Sequence, residues 1–108
     1  MATDIDFVEF VMDQIESDKE ISYRKMFGEY ALYCNGKVVG LICDNQLFIK
    51  ITVAGKKIVG DISEASPYPG AKASFLIEDQ IDDGEWLSKL IELTEQELPK
   101  PKPKKKKK

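Results

Sequence analysis

Arg24-Lys25-Met26-Phe27-Gly28-Glu29-Tyr30-Ala31-Leu32-Tyr33-Cys34-Asn35-Gly36-Lys37 is the stretch that decides the fold of this chain. Asn35-Gly36 is the strongest short-range hairpin signal, because both residues tolerate the positive φ that a type I′ turn requires. The apolar run resumes over residues 37–43, and a second polar pair, Asp44-Asn45, separates it from residues 46–52. Three strands joined by two tight turns form an antiparallel meander, predicted at 29–34, 37–43 and 46–52.

Two-residue turns pair Cys34 with Lys37 and Cys43 with Gln46. Uninterrupted alternation then places Ala31, Tyr33, Val38, Gly40, Ile42, Leu47, Ile49 and Ile51 on one face, the expected core. Tyr30, Leu32, Cys34, Lys37, Val39, Leu41, Cys43, Gln46, Phe48 and Lys50 fall on the other, whose middle is also apolar and needs a cover, either a helix or a partner. Cys34 and Cys43 sit at opposite ends of the central hairpin, about 20 Å apart. A disulfide needs Cα atoms within about 7 Å, so both are expected as free thiols.

Working outward, Thr3 or Asp4 is expected to cap a first helix. Ile5, Val8, Met12 and Ile15 give it an apolar stripe, and it should end near Ser17. Residues 21–27 read as a connection or short strand. Residues 54–70 are punctuated by Gly55, Gly60, Pro67, Pro69 and Gly70, with room for one helical turn at 56–59. Residues 72–78 make a fourth strand. Asp82 or Asp83 caps a last helix, with Glu85 in capping-box position to Asp82, and Trp86, Leu87, Leu90, Ile91, Leu93 and Leu98 supply its apolar face. The expectation is an α+β domain over residues 1–98: an antiparallel sheet of about four or more strands, the meander at its centre, packed with an amino-terminal and a carboxy-terminal helix.

The formal net charge of −3 hides a division. Residues 99–108, Pro-Lys-Pro-Lys-Pro-Lys-Lys-Lys-Lys-Lys, hold 7 of the 16 basic residues, leaving 9 against 19 acidic ones before them, a net of −10. Such a Pro/Lys-rich segment cannot bury apolar surface and is expected to be a disordered cationic tail. The start of the chain is acidic, with no signal-peptide pattern, and no stretch has the length to span a bilayer, so a cytoplasmic protein with no membrane contact is the expectation. The chain has no histidine. That excludes histidine-based nucleophile systems and metal sites, and two cysteines are too few for an all-cysteine zinc site. No cofactor is expected.

The run 24–37, the strand holding Leu41-Ile42, and Gln46-Leu47-Phe48-Ile49-Lys50 together resemble the TfoX/Sxy amino-terminal domain. Tyr68-Pro69-Gly70, the apolar residues Phe75 to Ile77 and Asp83-x-x-Trp86-Leu87 fit the same pattern, so the resemblance covers about residues 20–98. It implies a small α+β domain and a link to regulation of natural competence. In two-domain members it implies a transcriptional co-activator working beside a cyclic-AMP receptor protein. Those members continue into a helical second module, where this sequence carries its lysine run. The resemblance implies no catalytic residues.

The expected function is therefore a non-enzymatic regulatory or interaction module. Tyr30, Leu41, Phe48 and Tyr68 are the candidate protein-binding residues, on the second sheet face and the loop after it. Lys100, Lys102, Lys104, Lys105, Lys106, Lys107 and Lys108 are the candidates for salt-sensitive, non-specific nucleic-acid contact. Arg24 and Lys25 beside Phe27-Gly28 read either as a phosphate or nucleic-acid contact, with Tyr30 or Phe27 stacking on a base, or as solvated cations next to a bulge glycine. Tyr68-Pro69-Gly70 reads either as the lining of a pocket or partner site or as a turn whose tyrosine covers the core. Each cysteine reads as a redox thiol or, better, as a small buried hydrophobe. Asp82, Asp83, Glu92, Glu95 and Glu97 are explained by capping and a solvated helix face. The alternative reading is a small-molecule or enzymatic pocket near residues 54–70. Self-association as a weak homodimer, through edge strands or the Tyr30/Leu41/Phe48 face, is the third.

Overall fold

In the computed structural model, which describes residues 3–26 and 29–98, both tight turns stand where the sequence puts them. Asn35 and Gly36 have φ of 53° and 82°, and Asp44 and Asn45 have 53° and 59°. The second turn needs no glycine because aspartate and asparagine tolerate the left-handed region best among other residues. Phe27-Gly28 and the tail 99–108, with all seven candidate lysines, lie outside the described residues.

The turns connect β2 (Glu29–Cys34), β3 (Lys37–Cys43) and β4 (Gln46–Ile49). The segment read as a connection or short strand is a full edge strand, β1 (Ile21–Met26), paired antiparallel with β2. After β4 come α2 (Val53–Val59), the two-residue β5 (Glu64–Ala65) and β6 (Ser74–Ile77). One open antiparallel sheet results, in the order β1-β2-β3-β4-β6-β5. The helices α1 (Ile5–Gln14), α2 and α3 (Gly84–Glu97), with a 3₁₀ turn at Asp79–Asp82, contribute the rest of the α+β fold.

The predicted assignment of faces holds for β3 beyond Gly40 and for β4, and is inverted for β2. The cause is a bulge. Cys34 pairs with Lys37 and Tyr33 with Val38, but Leu32 pairs with Gly40, which leaves Val39 without a partner. One extra residue in a strand reverses the alternation beyond it, because side chains change faces at every position. Tyr30, Leu32 and Cys34 therefore share the core face with Ile42, Leu47, Ile49, Phe75 and Ile77, and the bulged Val39 is fully buried among them. Ala31, Tyr33 and Val38 fall on the opposite face. Gly40 has to be glycine: a Cβ there would collide with the carbonyl oxygen of Phe48 and crowd Ile49.

Val8 and Val11 of α1, Ile81, and Leu87, Leu90 and Ile91 of α3 close the core over that one face. Burying a side chain of this size contributes about 1.5–3 kcal/mol, and this shared burial is what fixes the helices on the sheet. Caps place their ends. Asp83, not Asp82, caps α3, accepting from the Trp86 amide at 3.1 Å, so Glu85 is not the partner in a capping box. The Thr52 hydroxyl caps α2 by accepting from the Gly55 amide at 2.9 Å, which makes α2 longer than the single turn predicted. Asp4 stands at the N-cap of α1 without a side-chain bond. Its neighbour Thr3 instead donates to Glu29 and accepts from the Asn45 amide, pinning the helix start to the sheet.

Three glutamates of α3 are structural, not merely solvated as the sequence reading had them. Glu92 accepts from the Ser17 hydroxyl. Glu97 accepts from the amides of Val53 and Ala54 at 2.9 and 3.1 Å, capping α2 from outside, and those bonds hold its carboxyl below the usual range. Glu95 is 8% exposed and meets Lys37 at 2.9 Å and Lys19 at 3.2 Å. The Lys37 ammonium also donates to the carbonyl oxygens of Glu95 and Leu98 at 2.9 and 3.1 Å. A cation thus meets the negative end of the α3 dipole and satisfies carbonyls left over at the helix end.

Candidate docking face

All three helices pack on one face, and among the described residues the other face of the sheet is free of helices. Its central row runs Arg24–Ala31–Leu41–Phe48–Leu76 across five strands, each residue paired with the next. Ala31 and Phe48 are buried, while Leu41 and Leu76 are half-buried. The Arg24 guanidinium lies 6.0 Å from the centre of the Tyr33 ring on this same face, a cation–π distance. Lys25, next in the strand, has the opposite parity, so the two cations diverge instead of forming one phosphate contact.

A helix or a partner was expected to cover this face; among the described residues no helix does, and the segment after β5 borders it. Tyr68-Pro69-Gly70-Ala71 is a turn in which the Ala71 amide donates to the Tyr68 carbonyl at 3.0 Å, with proline second and Gly70 third at φ 90°. This is the type II arrangement that Pro-Gly favours. The turn reading of these residues holds, but the tyrosine does not cover the core: Tyr68 is 55% exposed. Its side of the loop borders two cavities. One, about 450 Å³ and mostly apolar, is lined by Met26, Glu29, Tyr30, Leu41, Cys43 and Tyr68. The other, about 590 Å³, adds Lys50, Ala71 and Lys72 to Leu41 and Tyr68. Leu41 and Tyr68 border both, so the cavities adjoin, one mostly apolar and the other carrying Lys50 and Lys72; the pair is termed the groove. The cavity expected near residues 54–70 thus involves only the last part of that segment, and it lies against the sheet.

Of the predicted binding residues, the structure brings Leu41, Phe48 and Tyr68 to this face. Tyr30 is corrected: the bulge turns its side chain to the core, where it is 7% exposed and meets Tyr23 edge-on at 5.6 Å between ring centres, so it only borders the apolar cavity. Met26 and Lys72 were missed. Met26 lay in a segment not committed to a strand, and Lys72 reaches the groove only through the return of the 67–73 loop. The second charged cavity, bordered by Glu16, Asp83, Glu85, Lys89 and Glu92, belongs to the capping and tethering groups of α3.

Neither thiol is tuned for reactivity. Both cysteines are buried and unpaired, and lie on opposite faces at opposite ends of the hairpin. Burial raises the pKa of each; Glu95 adds to the rise at Cys34, and Glu29 and Asp44 at Cys43. A thiol pushed up in this way stays protonated and poorly nucleophilic. Among the described residues no three His, Cys, Asp or Glu side chains gather as a metal site. No helix among them is long and apolar enough to cross a membrane.

The family model for the TfoX N-terminal domain matches residues 13–98, nearly the whole of this sheet-and-helix unit. The chain belongs to that family. An uncharacterised 12.7 kDa protein in the trpE 5′ region of Spirochaeta aurantia is 40% identical over 99 residues, covering 92% of this chain and 86% of the relative. The TfoX N-terminal fold therefore occurs in that relative in a protein of nearly the same size as this one, at 12.2 kDa. Within this TfoX-type domain, the match spans the groove-forming residues Met26, Leu41, Lys50, Tyr68 and Lys72.

Proposed function

We propose that this TfoX-type domain is a non-enzymatic regulatory module that contacts a protein partner through its helix-free sheet face and takes part in control of transcription. Lysines 100, 102 and 104–108 add a non-specific attraction to nucleic acid, for which seven clustered cations suffice and no base reading is needed. The observation that supports this reading is the groove itself. It sets half-buried Leu41 and exposed Met26 on the sheet beside exposed Tyr68 on the loop, the mix of apolar floor and aromatic rim typical of protein contact surfaces.

The test is a chromosomal exchange in the native host. A Leu41→Asp/Tyr68→Ala chain, present at the normal level, should give the transcript profile of the gene deletion. A profile identical to wild type would remove the docking face from the function. The small-molecule reading draws on the roughly 590 Å³ cavity beside Lys50 and Lys72. A saturable thermal shift with one class of metabolite, abolished by Lys72→Glu, would favour it over a protein partner.

A further inference from the structure

The folded part of this chain is strongly acidic, yet its helix-free face is not. Residues 1–98 hold 9 basic and 19 acidic groups. Of those nine cations, Arg24 lies on this face over Tyr33, and Lys50 and Lys72 line the groove. The described carboxylate lining it is Glu29, whose Oε1 already accepts from the Thr3 hydroxyl and, at 3.0 Å, from the Asp44 amide. Lys50 and Lys72 are exposed and make no ion pair among the described residues. Carboxylates are instead committed elsewhere: Glu95 to Lys19 and Lys37, and Glu97 to the start of α2.

We infer that the groove receives an acidic segment of a partner protein that carries a large apolar side chain: the apolar residue sits between Leu41, Met26 and Tyr68, and Asp or Glu beside it meets Lys50 and Lys72. The inference rests on the helix-free face being the docking surface and adds the chemistry of what docks. The shared lining residues, Leu41 and Tyr68, set the order of the two contacts along the segment, apolar anchor at one end and acid at the other. Charge argues against a second copy of this chain as the occupant. Apposing two such faces would put three exposed cations on each side of the contact, and like charge across an interface disfavours pairing. A basic partner would face the same repulsion here, while the acidic remainder of the surface would draw it elsewhere. An acidic partner is repelled by most of the folded part and is drawn to this face, where three cations stand against the single described lining carboxylate, Glu29.

The experiment is selection of a random 12-residue peptide library on the full-length chain, followed by titration of the best fluorescein-labelled peptide. The selected sequences should carry Leu, Phe or another large apolar residue next to Asp or Glu. Reversing two exposed charges with Lys50→Glu/Lys72→Glu should weaken binding about tenfold and flatten its salt dependence. Tyr68→Ala, at a residue too exposed to threaten folding, and Leu41→Asp should each weaken it by about tenfold or more. A neutral or basic consensus, or binding untouched by the lysine reversals, overturns the acidic-segment inference while leaving the face in place. Binding indifferent to Tyr68→Ala and Leu41→Asp overturns the face itself. That second outcome is also the signature of a peptide held by the lysine tail alone. Failure to select any peptide counts against the inference as well.

Discussion

Replacing Lys37 by methionine should cost more than any surface charge on this protein. The substitution keeps an unbranched side chain of similar length, so the packing of the stem stays and the ammonium alone is lost. That ammonium holds Glu95 Oε2 at 2.9 Å and the carbonyl oxygens of Glu95 and Leu98 at 2.9 and 3.1 Å, with the side chain 11% exposed. An acceptor left unmet in a buried place costs about 1–3 kcal/mol, and the carboxylate would keep only Lys19. The two carbonyls at the frayed helix end recover part of their loss from water, so the expected destabilisation is about 3 kcal/mol, near the lower end for a broken buried pair. For a domain of this size that lowers Tm by roughly 12–20 °C. Urea unfolding of wild type, Lys37→Met, Glu95→Gln and the double variant gives both the loss and the coupling, expected at about 2 kcal/mol. The sign of the pH effect follows from Glu95, whose carboxyl is held below its usual range first by the Lys37 bond and then by Lys19, against the opposing effect of burial. Its stabilisation is complete above the unfolded carboxyl value, about 4.3, and is lost as pH falls through the lower folded value. The Lys37→Met chain should therefore lose less stability between pH 5 and pH 3 than wild type does, pH values chosen to bracket roughly that carboxyl range. A loss below about 1 kcal/mol, as for a surface pair, with unchanged acid sensitivity, would refute the reasoning.

Gly40→Ala should destabilise by about 1–3 kcal/mol, because the new Cβ meets backbone that cannot swing away, and urea unfolding reads this directly. Glu97→Gln should lower stability at pH 7 but little near pH 3, since its depressed carboxyl contributes only while ionised; two thermal melts check this. Cys34, fully buried on the core face, should react with a thiol reagent about a hundredfold more slowly in the native chain than after unfolding, as expected where attack waits on an opening costing about 3 kcal/mol or more; equal rates would mean the thiol is not enclosed. Removing residues 99–108 should leave the melting curve in place and abolish the salt-dependent part of binding to a DNA duplex, measured by anisotropy from about 0.05 to 0.2 M salt.

What the sequence made legible was local. Asn35-Gly36 and Asp44-Asn45 state their turns in two residues each, and the strands on either side follow. The bulge at Val39 has no turn chemistry of its own. Gly40 directly after two valines was the available sign, since an isolated glycine in a strand marks a bulge or a close approach. Missing it inverted β2 and put Tyr30 on the wrong face. Leu41 and Phe48 kept their positions because they lie beyond the bulge on a hairpin whose alternation is unbroken. The roles of Glu92, Glu95 and Glu97 were not legible for a different reason. Their partners, Ser17, Lys19, Lys37 and the start of α2, lie 43 to 76 residues away, and helical spacing alone says nothing of what faces a helix end. Tyr68 announced its turn, but its place over the sheet depends on the path of the whole loop.

The most direct test of the docking face is amide hydrogen exchange of the full-length chain with and without the best selected peptide. Slowed exchange should gather in β1, in the Leu41–Phe48 strands and in the loop around Tyr68, with α1 and α3 unchanged. Slowing confined to α1 and α3, or absent from the Tyr68 loop and Leu41 together, would contradict the assignment of this face as the surface through which the protein acts.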